Sequence, residues 1–331
     1  MSTVSALPMT RVMLRLHRPA LYVWAGLLVV AGGLLLWLYG PLTDAAASAW
    51  RQWNGCSDMT GAACAYDQDA ILTYKSLTQY MSVAVNLVPF LVAAWAGASL
   101  TGREMESGTA QLAWTQSISP ARWLTAKLAL PAALVTAGTG VLVLLHNLVW
   151  SKGRGKIDTA KPWTDLLTFH ANGPTTVAFA LFGLVTGALA GLALRRSLAA
   201  LVVSLVATGA VWAAVGVARP RLWPSVTTVT DLTAYSPRSL GLTVDEGLLT
   251  STGARIANPY CGSSEVPECR DLYDRLGAVG YYTDSHPFSH YWPLQLTATG
   301  IVLALTALAA VLAFRLLKRH TGPLTPAKER R

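Results

Sequence analysis

Residues 76–102 read SLTQYMSVAVNLVPFLVAAWAGASLTG, and residues 128–151 read LALPAALVTAGTGVLVLLHNLVWS; neither stretch holds an Asp, Glu, Lys or Arg. A helix needs roughly 20 apolar residues to cross the hydrocarbon core of a bilayer, so both stretches are long enough. Between them lies REMESGTAQLAWTQSISPARWLTAK, residues 103–127, which carries charges of both signs. The pattern predicts two membrane-spanning helices joined by a polar segment at the membrane surface. We call residues 103–127 the connecting segment.

Uncharged windows of this kind recur along the whole chain. Those that reach span length are residues 19–43, 76–102, 128–151, 166–194, 197–218 and 285–314. Hydrophobic residues make up 53% of the chain and charged residues 13%, which is typical of a polytopic membrane protein. The short alternating segments of a membrane β-barrel are not seen. We therefore predict an all-α fold with six transmembrane helices, near residues 20–40, 80–102, 128–150, 174–194, 198–218 and 292–314.

The longest stretch outside these windows runs over residues 219–284. It is rich in Pro, Gly, Ser and Tyr, and its few apolar residues cannot form a large core. Within it, Pro267 near the start and Gly277 after the end indicate a short helix over residues 267–275. We predict a single transmembrane domain over residues 1–331, with 219–284 as a larger outer loop before the sixth span.

The charges outside the windows predict the orientation. If the N-terminus is cytoplasmic, the inner segments hold 14 basic and 3 acidic residues, and the outer segments hold 12 basic and 14 acidic residues. Basic residues favour the cytoplasmic side, so both termini are expected there. The net charge of +9 then fits contact with anionic membrane lipids, and no nucleic-acid partner is expected. Residues 9–18 alternate basic and apolar side chains; they suit an amphipathic surface helix, with a solvated tail as the alternative.

The four cysteines all fall in segments that this orientation places outside. Cys56 and Cys64 lie before the second span, and Cys261 and Cys269 before the sixth, each pair eight positions apart. Disulfides persist on the oxidising side of a membrane, so we predict the bonds Cys56–Cys64 and Cys261–Cys269. Four unpaired thiols are the alternative.

The connecting segment has the pattern of a short helix, a break and a second helix start. Thr101 and Glu104 have the spacing of a capping box, which predicts a new helix just after the second span. Ser119 followed by Pro120 predicts the start of the next helix. The residues whose charge or apolar surface suits contact with a partner protein are Arg103, Glu104, Glu106, Leu112 and Trp114.

Two other groups of residues have alternative readings. Gly183, Gly187 and Gly191 form a small-residue stripe on one helix face, which permits close packing either within the chain or at a dimer seam. Asp284, His286 and His290 have side chains that bind metals, but their position near Pro287 fits hydrogen-bonding groups at a membrane interface. We predict no metal site.

Missing motifs exclude several functions. The chain has no G-x-x-x-x-G-K-[ST] loop; the fragment over residues 153–157 lacks its spacing and hydroxyl, so ATP hydrolysis by that route is not expected. The six windows hold no charged residue, which argues against an ion-coupled carrier or a channel. No metalloprotease, nucleophile-elbow or paired-carboxylate motif is present, and we predict neither a catalytic residue nor a cofactor.

The chain resembles the permease subunits of bacterial ATP-binding-cassette exporters of the type-2 class, particularly the actinobacterial six-span permeases. The resemblance rests on REMESGT at residues 103–109, on TQSIS at 115–119 followed by Arg122-Trp123-Leu124 and Lys127, and more loosely on YWPLQ at 291–295. It implies that the connecting segment carries a coupling helix that contacts a separate cytosolic ATPase. It also implies a dimer with a second permease copy, identical or different, in the bacterial plasma membrane.

Other functions stay open at this point. A membrane scaffold or sensor without an ATPase fits the composition equally well. A lipid-modifying membrane enzyme would need clustered acid, base or nucleophile groups at one interface, for which Asp284 with His286 is the one candidate pair. An apolar path would suit the export of amphipathic drugs, peptides or lipids alike.

Overall fold

The computed structural model describes residues 18–57, 65–115, 119–234 and 239–321. Within these residues the fold is mainly helical, and six helices are long and apolar enough to cross a membrane. These are spans 1 to 6: Arg18–Cys56, Gln68–Glu106, Pro120–Gly153, Thr175–Leu194, Ser197–Arg221 and Phe288–Thr321. The predicted six-span helical fold is therefore confirmed.

The first two spans are longer than their uncharged windows. Their elements are α1 (Arg18–Trp37), a π-helical turn (Leu38–Leu42), α2 (Thr43–Ser57), α3 (Gln68–Trp95), a second π-helical turn (Ala96–Gly102) and α4 (Arg103–Glu106). Pro41 lies in the first π-helical turn. It lacks an N–H and crowds the carbonyl four residues earlier, which accounts for the wider turn there. Helix α3 begins well before the predicted boundary because the Asp67 side chain accepts a hydrogen bond from the Ala70 amide at 3.0 Å.

The described residues divide into two compact units. One holds residues up to 212 and from 299 onward, and the other holds residues 213–298. The remaining helices of the first unit are α5 (Thr109–Thr115), α6 (Pro120–Gly153), α7 (Leu166–Ala171), α8 (Thr175–Leu194) and most of α9 (Ser197–Ala218). Among the six spans, the fourth, built on α8, has the largest buried share.

The glycine stripe on α8 packs against span 2 of the same chain. A Cβ atom on Gly183 would lie 2.7 Å from the Pro89 carbonyl oxygen, and one on Gly187 would lie 2.6 Å from the Gly97 amide nitrogen. A Cβ on Gly191 would collide with the Thr101 hydroxyl. Only glycine therefore permits this approach of the two backbones.

A buried polar network joins spans 2 and 3 to α7. His146 lies 2.9 Å from the Ser82 hydroxyl through Nε2 and 2.7 Å from the Asn172 Oδ1 through Nδ1. Asn86 donates to the Leu167 carbonyl at 2.9 Å. Polar side chains inside an apolar bundle need such partners, because water is absent there. The network holds the short helix α7 against the bundle.

The second unit contains a four-stranded sheet that the sequence did not predict. Its elements are β1 (Val226–Thr230), β2 (Leu242–Thr250), β3 (Arg255–Ile256), α10 (Pro267–Arg275) and β4 (Ala278–His286), followed by the first residues of α11 (Tyr291–Thr321). The strand order is β1-β4-β2-β3, and every pairing is antiparallel. The predicted outer loop, residues 219–284, therefore contains a sheet and a small core formed by Leu248, Cys269, Tyr273 and Tyr281.

Helix α10 has the predicted residues 267–275 and is followed by Gly277, whose φ of +62° is left-handed. The structure contains the disulfide between Cys261 and Cys269, with Cα atoms 5.5 Å apart. It ties the start of α10 to the preceding loop. Cys56 lies at the end of α2, but Cys64 lies outside the described residues, so the Cys56–Cys64 bond stays a prediction.

Candidate functional site

The connecting segment begins as a continuation of span 2. The predicted capping box is wrong, because the Thr101 hydroxyl donates to the Ala188 carbonyl on α8 at 2.9 Å and does not cap a new helix. Span 2 runs on through α4 to Glu106, and the break comes later, at Gly108 with a φ of +72°. The second predicted start is confirmed: the Ser119 side chain accepts from the Arg122 amide at 3.4 Å, and Pro120 is the first residue of α6.

Glu104 forms an ion pair with Lys127 at the start of span 3. Its Oε1 lies 2.6 Å from the Lys127 Nζ, which also donates to the Leu100 carbonyl at 2.8 Å. The Lys127 side chain has no exposure, and that of Glu104 is 22% exposed. The ammonium also lies 5.2 Å from the centroid of a Trp123 ring. This pair fastens α4 to span 3, and a buried charge of this kind depends on keeping its partner.

Glu106 fastens the same short helix to span 5. Its Oε2 accepts hydrogen bonds from the Ser197 amide at 2.9 Å and from the Ser197 hydroxyl at 2.6 Å. Ser197 is the first residue of α9. The first amides of a helix have no partner within it and carry partial positive charge, so a carboxylate there stabilises the helix.

Trp114 packs inward and Leu112 faces outward. The Trp114 ring meets the Trp123 ring edge to face, with centroids 5.6 Å apart. It belongs to an apolar cluster that joins α5 to spans 3, 4 and 6, built around Ala110, Trp123, Leu124, Leu192, Ala313 and Leu317. The Leu112 side chain is 62% exposed. Helix α5 is thus anchored along one side and leaves an apolar side chain free on the other.

The five predicted residues therefore lie in one short stretch of the chain, but their surroundings differ. Glu104, Glu106 and Trp114 contact other parts of the chain, whereas Arg103 and Leu112 are exposed. Sequence reasoning missed Lys127 and Ser197 as partners. The available signal was that each lies at the very edge of an uncharged window.

The histidines considered as metal ligands lie in the second unit. His286 is buried, with its Nδ1 3.0 Å from the His290 Nδ1 and its Nε2 2.9 Å from the Pro220 carbonyl oxygen. Asp284 is engaged separately: Arg255 donates to it at 2.7 Å and Thr227 at 2.5 Å. These hydrogen bonds account for the polar groups around Pro287.

One comparison with known proteins bears on this chain. A family model described as ABC-2 membrane transporter related matches residues 25–219, more than half of the 331 residues. The matched region includes the connecting segment and most of the membrane-spanning part. No curated protein and no solved structure matches the chain significantly.

Proposed function

Since this chain belongs to the ABC-2 membrane transporter related family, we propose that it is the permease subunit of an exporter driven by a separate cytosolic ATPase. The observation that carries the proposal is the construction of the connecting segment. Glu104 and Glu106 fasten this segment to spans 3 and 5, and the apolar cluster that holds Trp114 fastens it to spans 3, 4 and 6, yet it exposes Leu112 and Arg103. A surface that is both exposed and firmly attached to the bundle suits the transfer of motion from a docked protein.

In this proposal both termini and the connecting segment lie in the cytoplasm, and residues 219–284 lie outside the bacterial plasma membrane. The balance of basic and acidic residues supports this orientation. The Cys261–Cys269 disulfide supports it as well, because such bonds persist on the oxidising side. The chain itself is not an enzyme in this account, needs no cofactor and contacts no nucleic acid.

In the proposed coupling, Leu112 and the two acids Glu104 and Glu106 have different roles. Leu112, which is exposed on α5, contacts the ATPase. Glu104 and Glu106 use one carboxylate oxygen each to hold span 3 and span 5, and they contact the ATPase only through their remaining exposed atoms. A displacement of α4 and α5 on ATP binding would therefore be passed to spans 3 and 5 through Lys127 and Ser197. Such a mechanism requires that the ATPase bind two arrangements of these helices with different affinities.

The proposed substrate is an amphipathic or hydrophobic compound, and the working unit is a dimer with a second permease copy, identical or different. The apolar composition of the uncharged windows supports this class of substrate. The family resemblance of the connecting segment supports export as the direction of transport and an ATPase as the partner.

Co-purification with the ATPase subunit tests the proposal. Truncating a contacting side chain near the centre of an interface costs about 1 to 2 kcal/mol, which weakens the complex roughly five- to thirtyfold. We expect Leu112→Ser to lose most of the bound ATPase. Leu112→Met, which keeps an apolar side chain of similar volume, should retain it.

Membrane insertion of both variants should equal that of the wild type, because Leu112 is exposed. An unchanged amount of ATPase on Leu112→Ser would remove Leu112 from the contact. Failure of the wild type to retain any ATPase would instead favour the scaffold or sensor alternative.

A further inference from the structure

A groove lies between spans 1, 2 and 3, at the same end of the helices as the connecting segment. Its volume is about 570 Å³, within the range of roughly 300 to 1,000 Å³ that is usual for ligand pockets. Apolar side chains from all three helices make most of its wall, among them Trp24, Leu27, Leu91, Trp95, Leu130 and Leu134. The Trp24 ring is held in place by close packing, since a Cβ on Gly138 would lie 2.6 Å from it.

One end of the groove is polar and positively charged. Leu91, Trp95, Ser99 and Arg103 all line it and follow one another at intervals of four residues. They form an apolar strip of span 2 that ends in a guanidinium group. Among the residues that the structure describes, the Arg103 side chain has no hydrogen-bond or ion-pair partner. Lys127 also borders the groove, but its ammonium is engaged by Glu104 and Leu100.

The groove is open along its side. Val23 and Leu91, which line it, are 72% and 53% exposed. In a bilayer these exposed apolar side chains would face lipid, so an acyl chain could enter laterally without first crossing water. Arg18 and Arg122, at the starts of spans 1 and 3, are exposed at the same end.

We propose that this groove binds an anionic phospholipid of the inner leaflet, with an acyl chain along the apolar strip and the phosphate on Arg103. Arginine suits this role because its planar guanidinium can donate two parallel hydrogen bonds to a phosphate. Basic pockets between transmembrane helices on the cytoplasmic side are a recognised form of anionic-lipid site. The assignment to the inner leaflet rests on the orientation given under the proposed function; the binding itself does not require an ATPase.

The test uses the full-length permease alone, in nanodiscs of equal parts phosphatidylglycerol and phosphatidylcholine, followed by mass spectrometry of the lipids that stay bound after release. We expect the wild type to retain phosphatidylglycerol in preference to phosphatidylcholine. Arg103→Gln should lower phosphatidylglycerol retention by about fivefold, the value of one basic group near an anionic surface. Arg196→Gln, the same change at another exposed arginine, should leave retention unchanged.

A second pair of variants tests the apolar part. Ala126→Trp places a large ring in the groove and should reduce retention of both lipids, whereas Ala133→Trp, on the same helix and outside the groove, should not. Equal effects of Arg103→Gln and Arg196→Gln would overturn the proposal. The proposal would also be overturned if the wild type retained no phosphatidylglycerol, as expected if a protein segment or the transported compound fills the groove. Since no ATPase is present, these outcomes are separate from the co-purification test.

Discussion

Lys127 is a fully buried charge in a mainly apolar bundle, and its ion pair with Glu104 is the contact on which its burial depends. Removing one partner of a buried pair costs about 3 to 5 kcal/mol, because the other charge is left unpaired. We therefore predict that Glu104→Gln lowers the apparent Tm of the purified protein markedly. The double variant Glu104→Gln with Lys127→Met should recover part of the loss.

The chain offers a matched control for this pair. Lys152 and Asp44 form an ion pair at 2.7 Å in which the Asp44 side chain is 68% exposed. An exposed pair contributes about 0 to 1 kcal/mol, so Asp44→Asn should hardly change the apparent Tm. If Glu104→Gln and Asp44→Asn have the same small effect, the buried pair does not hold the connecting segment.

Asp284 gives the second unit a predictable response to acid. The hydrogen bond from the Thr227 hydroxyl, together with Arg255, holds the pKa of the Asp284 carboxyl below its usual value. A lowered pKa in the folded state means that the stabilisation is fully present above the unfolded pKa of about 3.9 and is lost as the pH falls through the folded value. We predict that pairing of β1 with β4 weakens below about pH 4 in the wild type.

Asp284→Asn should remove this part of the acid response, because the amide does not titrate. Hydrogen exchange of the β1 amides, compared between the two proteins at each pH, measures it. Asp274→Asn, on α10, serves as the control. The same acid response in wild type and Asp284→Asn would show that another group controls the pairing.

At the residue scale, sequence reasoning located the important side chains but not their partners. Glu104 and Glu106 were recognisable as charges beside a span. Their partners, Lys127 and Ser197, lie 23 and 91 positions away along the chain. Contacts at such separations are set by how the spans pack, and no local pattern encodes them. Trp114 was assigned to docking by residue type, but its ring packs on the Trp123 ring of α6, a contact that no local pattern predicts.

At the scale of the helices, the close contact between α8 and span 2 can be tested directly. Gly187 faces backbone atoms of span 2, with the Gly97 nitrogen 2.6 Å and the Ala93 oxygen 3.0 Å from the place of a Cβ. Backbone cannot move aside as a flexible side chain can, so Gly187→Ala should destabilise the protein by about 1 to 3 kcal/mol. Gly140 on α6 has nothing within 4 Å of its Cβ position. There the better helix propensity of Ala should leave stability unchanged or higher.

The apparent Tm values of Gly187→Ala and Gly140→Ala test this prediction. A loss for Gly187→Ala with none for Gly140→Ala is the expected result. Equal values for both would mean that spans 2 and 4 are not in close contact in the purified protein.

The existence of the six spans could be predicted from the sequence, but that of the sheet could not. Each span is set by a long uncharged run, which is a local and strong signal. The outer strands carry weak alternation, as in β1, where Val226, Thr227 and Val229 are all exposed. Strand β1 is specified by pairing with β4, from residues more than forty positions away. The capping box at Thr101 failed for a related reason, because α8 supplies a tertiary partner for the hydroxyl.

At the scale of the first compact unit, the connecting segment is an exposed surface that is tied to spans 3, 4, 5 and 6 at once. In the described residues, α4 reaches spans 3 and 5 through its two acids, and α5 reaches spans 3, 4 and 6 through the cluster around Ala110. A force applied to α5 therefore has a direct physical route into much of the bundle. The second compact unit has a separate core and its own disulfide. Changes in it can therefore be followed separately, for example by hydrogen exchange of the β1 amides.

The proposed function requires the connecting segment to be a cytoplasmic docking surface for an ATPase. Labelling of an introduced Gln111→Cys with a membrane-impermeant thiol reagent tests it most directly, in a background without reactive native thiols. Gln111 is exposed on α5, beside Leu112, and Lys156→Cys in the loop after α6 reports the opposite side. We predict that position 111 is labelled only in inside-out vesicles and is protected when the ATPase subunit is bound, whereas position 156 is labelled only in intact cells. Labelling of position 111 in intact cells, or equal labelling with and without the ATPase, would contradict it.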